Sequence, residues 1–180
     1  NLTTFEQFVE LAQRGTFVPV CKEIMADLLT PVSAFLKIAE HSDYAFLLES
    51  VEGGEQVARY SFLGKDPFLL LRAQDGKVLL ERSGVTTESE KALIPTLREL
   101  MAGFQSPHVP GLPRFTGGAV GYLGYDAVSW FEPVPLQPPG PSDVPADQAG
   151  FMLFDTVLAF DHVQHRILLI ANARIAQDDD

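Results

Sequence analysis

The chain contains little cysteine and little positive charge. Its 180 residues include one cysteine, and 13 lysines and arginines face 24 aspartates and glutamates, which gives a net charge of -11. The single cysteine, Cys21, excludes an internal disulfide and favours a reducing compartment. The negative charge argues against a nucleic-acid surface, which needs clustered cations, and against an anionic membrane surface. We therefore expect a cytoplasmic protein with no nucleic-acid partner and no membrane partner.

Long apolar runs are also missing. No stretch approaches the about 20 apolar residues of a membrane span, and the first residues lack the basic-then-apolar order of a signal peptide. Hydrophobic residues make up 46% of the chain and charged residues 21%, a composition that predicts one folded domain with a sizeable core. The start at Asn1 and the end on three aspartates directly after an apolar run suggest a fragment of a longer chain.

No group of residues has the spacing of a catalytic or phosphate-binding motif. The glycines of GGAVGYLG (117–124) do not follow G-x-G-x-x-G, and no Gly-Lys-Ser/Thr follows them. We interpret this stretch as a strand that another backbone approaches closely. His162 and His165 lie in a predicted turn without a third metal ligand, so we expect solvated histidines.

Other polar and aromatic residues give no stronger signal. Asp155 and Asp161 fall on one predicted strand, where we expect solvated carboxylates and not an acid/base pair, since such a pair needs two opposed environments. Cys21 has no obvious basic partner and is expected in the core, and Trp130 and Phe131 are expected to pack. The residues alone therefore predict no catalytic site.

The pattern of apolar, glycine and proline residues predicts an α+β fold with largely antiparallel sheets and flanking helices. Thr4 and Thr30 are predicted to cap two short helices. We expect the glycine-rich strand and the closing hairpin to pack in one antiparallel core with the hairpin at 44–63. The predicted strands are 17–24, 44–51, 56–63, 67–73, 77–82, 115–125, 151–161 and 166–173, and a third helix, containing Pro95, is predicted at 88–104.

One predicted hairpin, FLLESVEGGEQVARYSFLG (46–64), carries polar residues near its middle. With Gly53-Gly54 as the turn, Ser50 lies opposite Val57, and Arg59 is its diagonal neighbour on the same face, ~7–8 Å away. A guanidinium and a hydroxyl at that distance could hold a carboxylate between them. The alternative is that Arg59 pairs with a local glutamate and Ser50 is an edge residue. The residues alone leave both interpretations open.

Four segments, taken together, resemble a known family. LLES (47–50), RYSFLG (59–64), FTGGAVGYLGYD (115–126) and FDTVLAFDHVQHRILLIA (154–171) resemble, in order and spacing, the amino-terminal region of anthranilate synthase component I. The resemblance implies a carbon–oxygen lyase of tryptophan biosynthesis, which converts chorismate to anthranilate and pyruvate. It also implies Mg²⁺ as cofactor and a glutamine amidotransferase subunit that supplies ammonia.

The resemblance also implies site residues. In that family the serine of LLES belongs to the site where L-tryptophan acts as feedback inhibitor, which points to Ser50, with Glu49 and Arg59 as companions. The family's carboxy-terminal chorismate-binding domain, with its Mg²⁺ ligands and catalytic groups, is absent from this sequence. Residues 1–180 are thus expected to form the amino-terminal regulatory domain, with no catalytic residue and no activity alone. The alternatives are the amino-terminal domain of aminodeoxychorismate synthase component I, or a stand-alone amino-acid-binding module.

Overall fold

The fold contains ten strands and three α-helices in the ranges that the computed structural model describes, which are 3–25, 29–49, 59–74, 76–135 and 147–176. The α-helices are α1 (Phe5–Ala12), α2 (Pro31–Ala39) and α3 (Leu93–Ala102), and a 3-10 helix spans Tyr125–Trp130. The strands are β1 (Phe17–Met25), β2 (Ala45–Leu48), β3 (Tyr60–Lys65), β4 (Leu69–Gln74), β5 (Lys77–Arg82), β6 (Val85–Ser89), β7 (Gly118–Leu123), β8 (Ala149–Phe154), β9 (Thr156–Asp161) and β10 (Arg166–Arg174).

The strands form two antiparallel sheets of five strands each. The first sheet has the order β1-β10-β9-β3-β2 and the second has the order β6-β5-β4-β8-β7. Side chains alternate along each strand, so that on β9 Ala159 faces the second sheet while Phe160 packs against α2. Helix α3 covers the far side of the second sheet. The layers are therefore helix, sheet, sheet and helix, as expected for an α+β fold with antiparallel sheets.

Local signals set the helix ends. Thr4 accepts a hydrogen bond from the Gln7 amide, and Thr30 accepts one from the Ser33 amide, so both predicted caps are confirmed. The third helix is shorter than predicted, because residues 85–89 form β6 at the edge of the second sheet. Pro95 lies in the first turn of α3, where a missing N–H costs nothing.

The predicted strand 151–161 is two strands in different sheets. β8 pairs in the second sheet, β9 pairs in the first, and the chain crosses between the sheets at Asp155. Asn172 fixes this crossover, because its Nδ2 donates to the carbonyls of Thr116 at 2.6 Å and Asp155 at 2.9 Å. The prediction of a single strand at 151–161 was wrong, because the sequence stays apolar through the point where the chain changes sheets.

The glycine-rich segment forms the strand β7, as predicted. A Cβ atom at Gly121 would overlap the carbonyl oxygen of Gly150 on β8, so the close backbone approach inferred from sequence is confirmed. Phe115 precedes β7 and lies edge-on to Phe46, which in turn packs on Phe154 with ring centroids 4.8 Å apart. The glycine-rich strand, the closing hairpin and the hairpin at 44–63 share one core, as expected, but their strands are divided between the two sheets.

The remaining expectations on packing have mixed outcomes. Cys21 is 1% exposed, as expected for a core residue, and burial raises the pKa of its thiol. Trp130 is 37% exposed, so most of its surface is covered, whereas the expectation that Phe131 packs is wrong, because 59% of its surface is exposed. No helix in the described ranges is long and apolar enough to cross a membrane.

Candidate functional site

A cluster of charged side chains lies at one end of the first sheet, where β9 turns into β10. Its centre is Asp161, the last residue of β9, whose side chain is completely buried. Tyr60 lies opposite Asp161 on β3, and Arg166 lies opposite it on β10. A carboxylate buried at this position needs charged or hydrogen-bonding partners, because its desolvation is costly.

Arg59 is the main partner of Asp161. Its Nε donates to Oδ1 at 3.1 Å and its Nη2 donates to Oδ2 at 2.8 Å, which is the two-point geometry of a strong ion pair. The amides of Val163 and Gln164 also donate to Oδ1, each at 3.2 Å. Burial by itself would raise the pKa of Asp161, but these hydrogen bonds outweigh it, and the pKa lies below its usual value. The expectation of a solvated carboxylate here was wrong.

A second arginine extends the cluster across the sheet. Nη1 of Arg166 donates to Oε2 of Glu23 on β1 at 2.8 Å, and Nε of Arg166 lies 3.6 Å from Oδ2 of Asp161. Positive and negative groups therefore alternate in the order Arg59, Asp161, Arg166 and Glu23. This row links the residue before β3 to the strands β9, β10 and β1.

Ser61 and His162 form a polar pair beside this row. The hydroxyl of Ser61 and Nε2 of His162 are 2.7 Å apart, and Ser61 is fully buried. A buried hydroxyl of this kind cannot reach a substrate, so the pair is not a hydrolytic nucleophile and base. His162 and His165 are exposed in the β9–β10 turn, as predicted. Within the described ranges, no three His, Cys, Asp or Glu side chains are grouped so that they could hold a metal ion.

The sequence and the fold of the chain can be compared with those of known proteins. No protein-family model matches the sequence. Anthranilate synthase component 1 of Synechocystis sp. is 43% identical over 171 residues, 94% of this chain and 33% of the relative. The protein of the same name from Acetivibrio thermocellus is 39% identical over 173 residues, 96% of this chain and 34% of the relative. The crystal structure of anthranilate synthase component I from Streptococcus pneumoniae TIGR4 matches with a TM-score of 0.54 and 26% identity, over 85% of this chain and 32% of that one.

The chain is a homologue of anthranilate synthase component 1. It spans about a third of the length of the curated relatives it matches and corresponds to their amino-terminal region. Its fold of two antiparallel sheets with flanking helices matches the solved anthranilate synthase component I structure.

The likeness to anthranilate synthase component I indicated three site residues, of which the structure describes two. Arg59 lies in the charged row, and Glu49 is exposed directly after β2. Ser50 lies outside the described residues, and so does the predicted turn at Gly53-Gly54.

The predicted pairing of this hairpin was wrong by three residues. It places Leu48 opposite Arg59, whereas Leu48 lies opposite Phe62. The observed register brings Phe46 and Phe62 to the same inner face, where both contact Phe115. An odd shift exchanges the two faces of a strand relative to its partner, so the argument that Ser50 and Arg59 share a face no longer follows from the register.

Arg59 keeps the capacity to bind an anion. Asp161 uses Nε and Nη2, and among the described residues Nη1 has no hydrogen-bond partner. The Arg59 side chain is 36% exposed, and its guanidinium carbon lies 4.9 Å from the centre of the Tyr60 ring. An arginine held at one edge by a buried carboxylate presents its other edge in a fixed direction. The arrangement suits binding, and the row contains no nucleophile or base directed at an open space.

Sequence reasoning missed Asp161, Arg166 and Glu23 as members of one cluster. A signal for Asp161 was present, because it shares parity with the apolar residues Val157 and Ala159 on the same strand. That parity predicts a carboxylate on a buried face, and a buried carboxylate predicts a nearby cation.

Proposed function

We propose that this chain is the amino-terminal part of an anthranilate synthase component I, the enzyme that converts chorismate to anthranilate and pyruvate in tryptophan biosynthesis. The observation that carries the proposal is the 43% identity to the Synechocystis protein over 94% of this chain. The whole enzyme would act in the cytoplasm as a lyase, with a glutamine amidotransferase subunit as its source of ammonia.

Within that enzyme we assign residues 1–180 a regulatory role. Ser50, with the companions Glu49 and Arg59, would bind the feedback inhibitor L-tryptophan. The fixed guanidinium of Arg59 supports this assignment, because its outer edge can receive the carboxylate of an amino acid. The catalytic groups would belong to the carboxy-terminal chorismate-binding domain. The ligands of Mg²⁺ would belong to that domain as well.

Two other functions make different predictions. An aminodeoxychorismate synthase component I would have the same substrate and a different product, and the names of the relatives favour anthranilate synthase over it. A stand-alone amino-acid-binding module would have no chorismate-binding region, so the gene would contain a stop codon directly after Asp180.

The test is an activity assay on the full-length protein that contains residues 1–180. With chorismate, Mg²⁺ and ammonia, we expect the fluorescence of anthranilate to appear and added L-tryptophan to suppress it. The 180-residue chain serves as the matched control and should give no anthranilate above a reaction without protein. Aminodeoxychorismate as the product would establish the second function, and tryptophan binding without any turnover by the full-length protein would establish the third.

A further inference from the structure

Arg166, in the middle of the charged row, has a hydrogen-bond donor that is not used. Its side chain is 14% exposed, and its Nη1 donates to Oε2 of Glu23. Its Nε is buried, and among the described residues this nitrogen has no hydrogen-bond partner. Buried donors that stay unpaired are rare in folded proteins, because an unpaired donor costs more free energy than a formed hydrogen bond contributes.

A suitable acceptor lies just beyond hydrogen-bond distance of this nitrogen. Oδ2 of Asp161 is 3.6 Å from Nε of Arg166, whereas an N–H···O hydrogen bond spans about 2.7–3.2 Å. A water molecule does not fit between the two atoms, because two hydrogen bonds through one water hold their end atoms about 4.5 Å apart. A movement of the carboxylate by less than about 1 Å would give the donor its partner.

The two oxygens of Asp161 are used unequally. Oδ1 accepts from Nε of Arg59 at 3.1 Å and from the amides of Val163 and Gln164 at 3.2 Å each. Oδ2 accepts from Nη2 of Arg59 at 2.8 Å and from no other described donor. A carboxylate oxygen has two lone pairs, so Oδ2 can accept a second bond. Since the last torsion of an aspartate is soft, a small rotation moves Oδ2 towards Arg166 without freeing Oδ1 from the turn.

A ligand carboxylate on Arg59 would drive that rotation. It would bind the outer edge of the guanidinium, where Nη1 has no partner among the described residues, and it would share Nη2 with Oδ2 of Asp161. Two carboxylates on one guanidinium repel each other, and the low dielectric around the buried Asp161 strengthens the repulsion. Oδ2 is then stabilised by a bond to Arg166, whose Nε–H is available and positively charged.

We propose that Asp161 is shared between two arginines, and that a ligand carboxylate on Arg59 moves Oδ2 of Asp161 to Nε of Arg166. The inference rests on the proposed function, since the ligand is the amino-acid effector assigned to Arg59. Arg166 is then a positioning residue of the effector site: it does not touch the ligand, and it stabilises the bound state by accepting the displaced carboxylate as its partner. Because Arg166 also pairs with Glu23, the movement connects the effector site with the edge strand β1.

Nuclear magnetic resonance of the arginine side chains tests the sharing of Asp161 without any ligand. Arg59→Met removes the donors that compete for Oδ2. In the 180-residue chain with this substitution, we expect the Nε–H proton of Arg166 to shift downfield and to exchange with water at least about tenfold more slowly than in the wild type. An unchanged Arg166 signal would overturn the inference. Unfolding of the variant would also overturn it, because Asp161 would then have found no second partner.

Inhibition of the full-length protein by L-tryptophan tests the role of Arg166 at the effector site. Arg166→Lys keeps the positive charge beside Glu23 and removes the Nε–H donor, so the inhibitory concentration should rise about tenfold, as expected for one hydrogen bond to a charged group. Arg174→Lys is the matched control, because Arg174 lies on the same strand and pairs with Asp155. It should leave the inhibition curve in place. No shift in Arg166→Lys, or equal shifts in both variants, would overturn this role.

The two experiments separate the inference from the proposed function. If L-tryptophan does not inhibit the full-length wild type, the proposed function fails, whereas the Arg166 signal in Arg59→Met still decides whether Asp161 is shared. If tryptophan inhibits the wild type and the Arg166 signal does not change, the proposed function survives and the inference fails.

Discussion

The guanidinium of Arg59 and the carboxylate of Asp161 form a two-point ion pair although 102 residues separate them in sequence. The pair joins the residue before β3 to the last residue of β9, and Arg166 extends it towards β1. It therefore serves two purposes in the fold. It stabilises one end of the first sheet, and it fixes the direction of the one arginine to which the likeness to anthranilate synthase component I gives a binding role.

Removing the charge of Asp161 should destabilise the fold. We expect Asp161→Asn to lower the free energy of unfolding by ~3 kcal/mol, the lower end of the range for breaking a buried ion pair, because Arg59 is partly exposed and can be rehydrated. Urea unfolding of the 180-residue chain measures the change. The control is Asp155→Asn, whose partly exposed ion pair with Arg174 should contribute less than ~1 kcal/mol. An equal loss of unfolding free energy in both variants would show that the burial of Asp161 does not strengthen its ion pair.

The contribution of Asp161 should also depend on pH. Its pKa in the folded protein is lowered, so its ionised form stabilises the fold at pH values above the unfolded pKa of about 3.9. That stabilisation should disappear as the pH falls through the folded pKa. The difference in unfolding free energy between the wild type and Asp161→Asn should therefore be constant near neutral pH and shrink below about pH 4. A difference that grows with acidity would contradict the sign of this shift.

Features with a local cause could be predicted from the sequence. The helix starts at Thr4 and Thr30 depend on hydrogen bonds between residues three apart, and the turn at His162–His165 depends on a polar run between two apolar strands. The glycines of β7 indicated a close backbone approach, because only a missing Cβ permits one. All these causes lie within a few residues of the feature itself.

Features with a distant cause could not be predicted in the same way. The crossover at Asp155 is set by Asn172, which lies on another strand, and the apolar run gives no sign of it. The register of β2 on β3 depends on packing against Phe115, which is far away in sequence. The partner of Asp161 is equally remote. Periodicity gives the buried face of a strand, but it does not identify the sheet or the side chain that the face meets.

A side chain at Gly121 should be poorly tolerated. Its Cβ would overlap the backbone of β8 at Gly150, and backbone cannot move aside cheaply. We expect Gly121→Ala to lower the unfolding free energy by about 1–3 kcal/mol or more, as overpacking does. Gly103→Ala is the control, because its nearest neighbour would lie at an ordinary 3.5 Å and its φ is -74°. Thermal unfolding of both variants decides the point, and equal midpoints would mean that β7 can shift away from β8.

Asn172 should be sensitive to the loss of its N–H groups and not only to its size. Asn172→Asp replaces a donor between two carbonyl oxygens by a carboxylate of the same shape, so we expect it to cost more than Asn172→Ala, which loses about 1–3 kcal/mol. The excess should decrease at low pH, because a protonated carboxyl can again donate one hydrogen bond. Urea unfolding of both variants at two pH values measures this. If the alanine variant is the less stable one, Asn172 acts by packing alone.

The last prediction concerns Ser50 in the full-length enzyme. Ser50→Ala should relieve inhibition by L-tryptophan and leave turnover without tryptophan nearly unchanged, since the proposed function assigns this hydroxyl to the effector site and not to the chemistry. A hydrogen bond to a charged group contributes roughly 1.5–3 kcal/mol, so the inhibitory concentration should rise about ten- to a hundredfold. Steady-state rates across a tryptophan series measure this shift.

The control for that series is Ser42→Ala, which removes an exposed hydroxyl that bonds only to Asp66 and the Tyr44 carbonyl among the described residues. It should leave the inhibition curve in place. Tryptophan must bind the inhibited state more tightly than the active one, and this coupling is reciprocal. Chorismate should therefore weaken tryptophan binding in the wild type, and calorimetry can measure that effect. An unchanged inhibition curve in Ser50→Ala, or a collapse of its activity at zero tryptophan, would show that Ser50 has a structural role and that the effector site lies elsewhere.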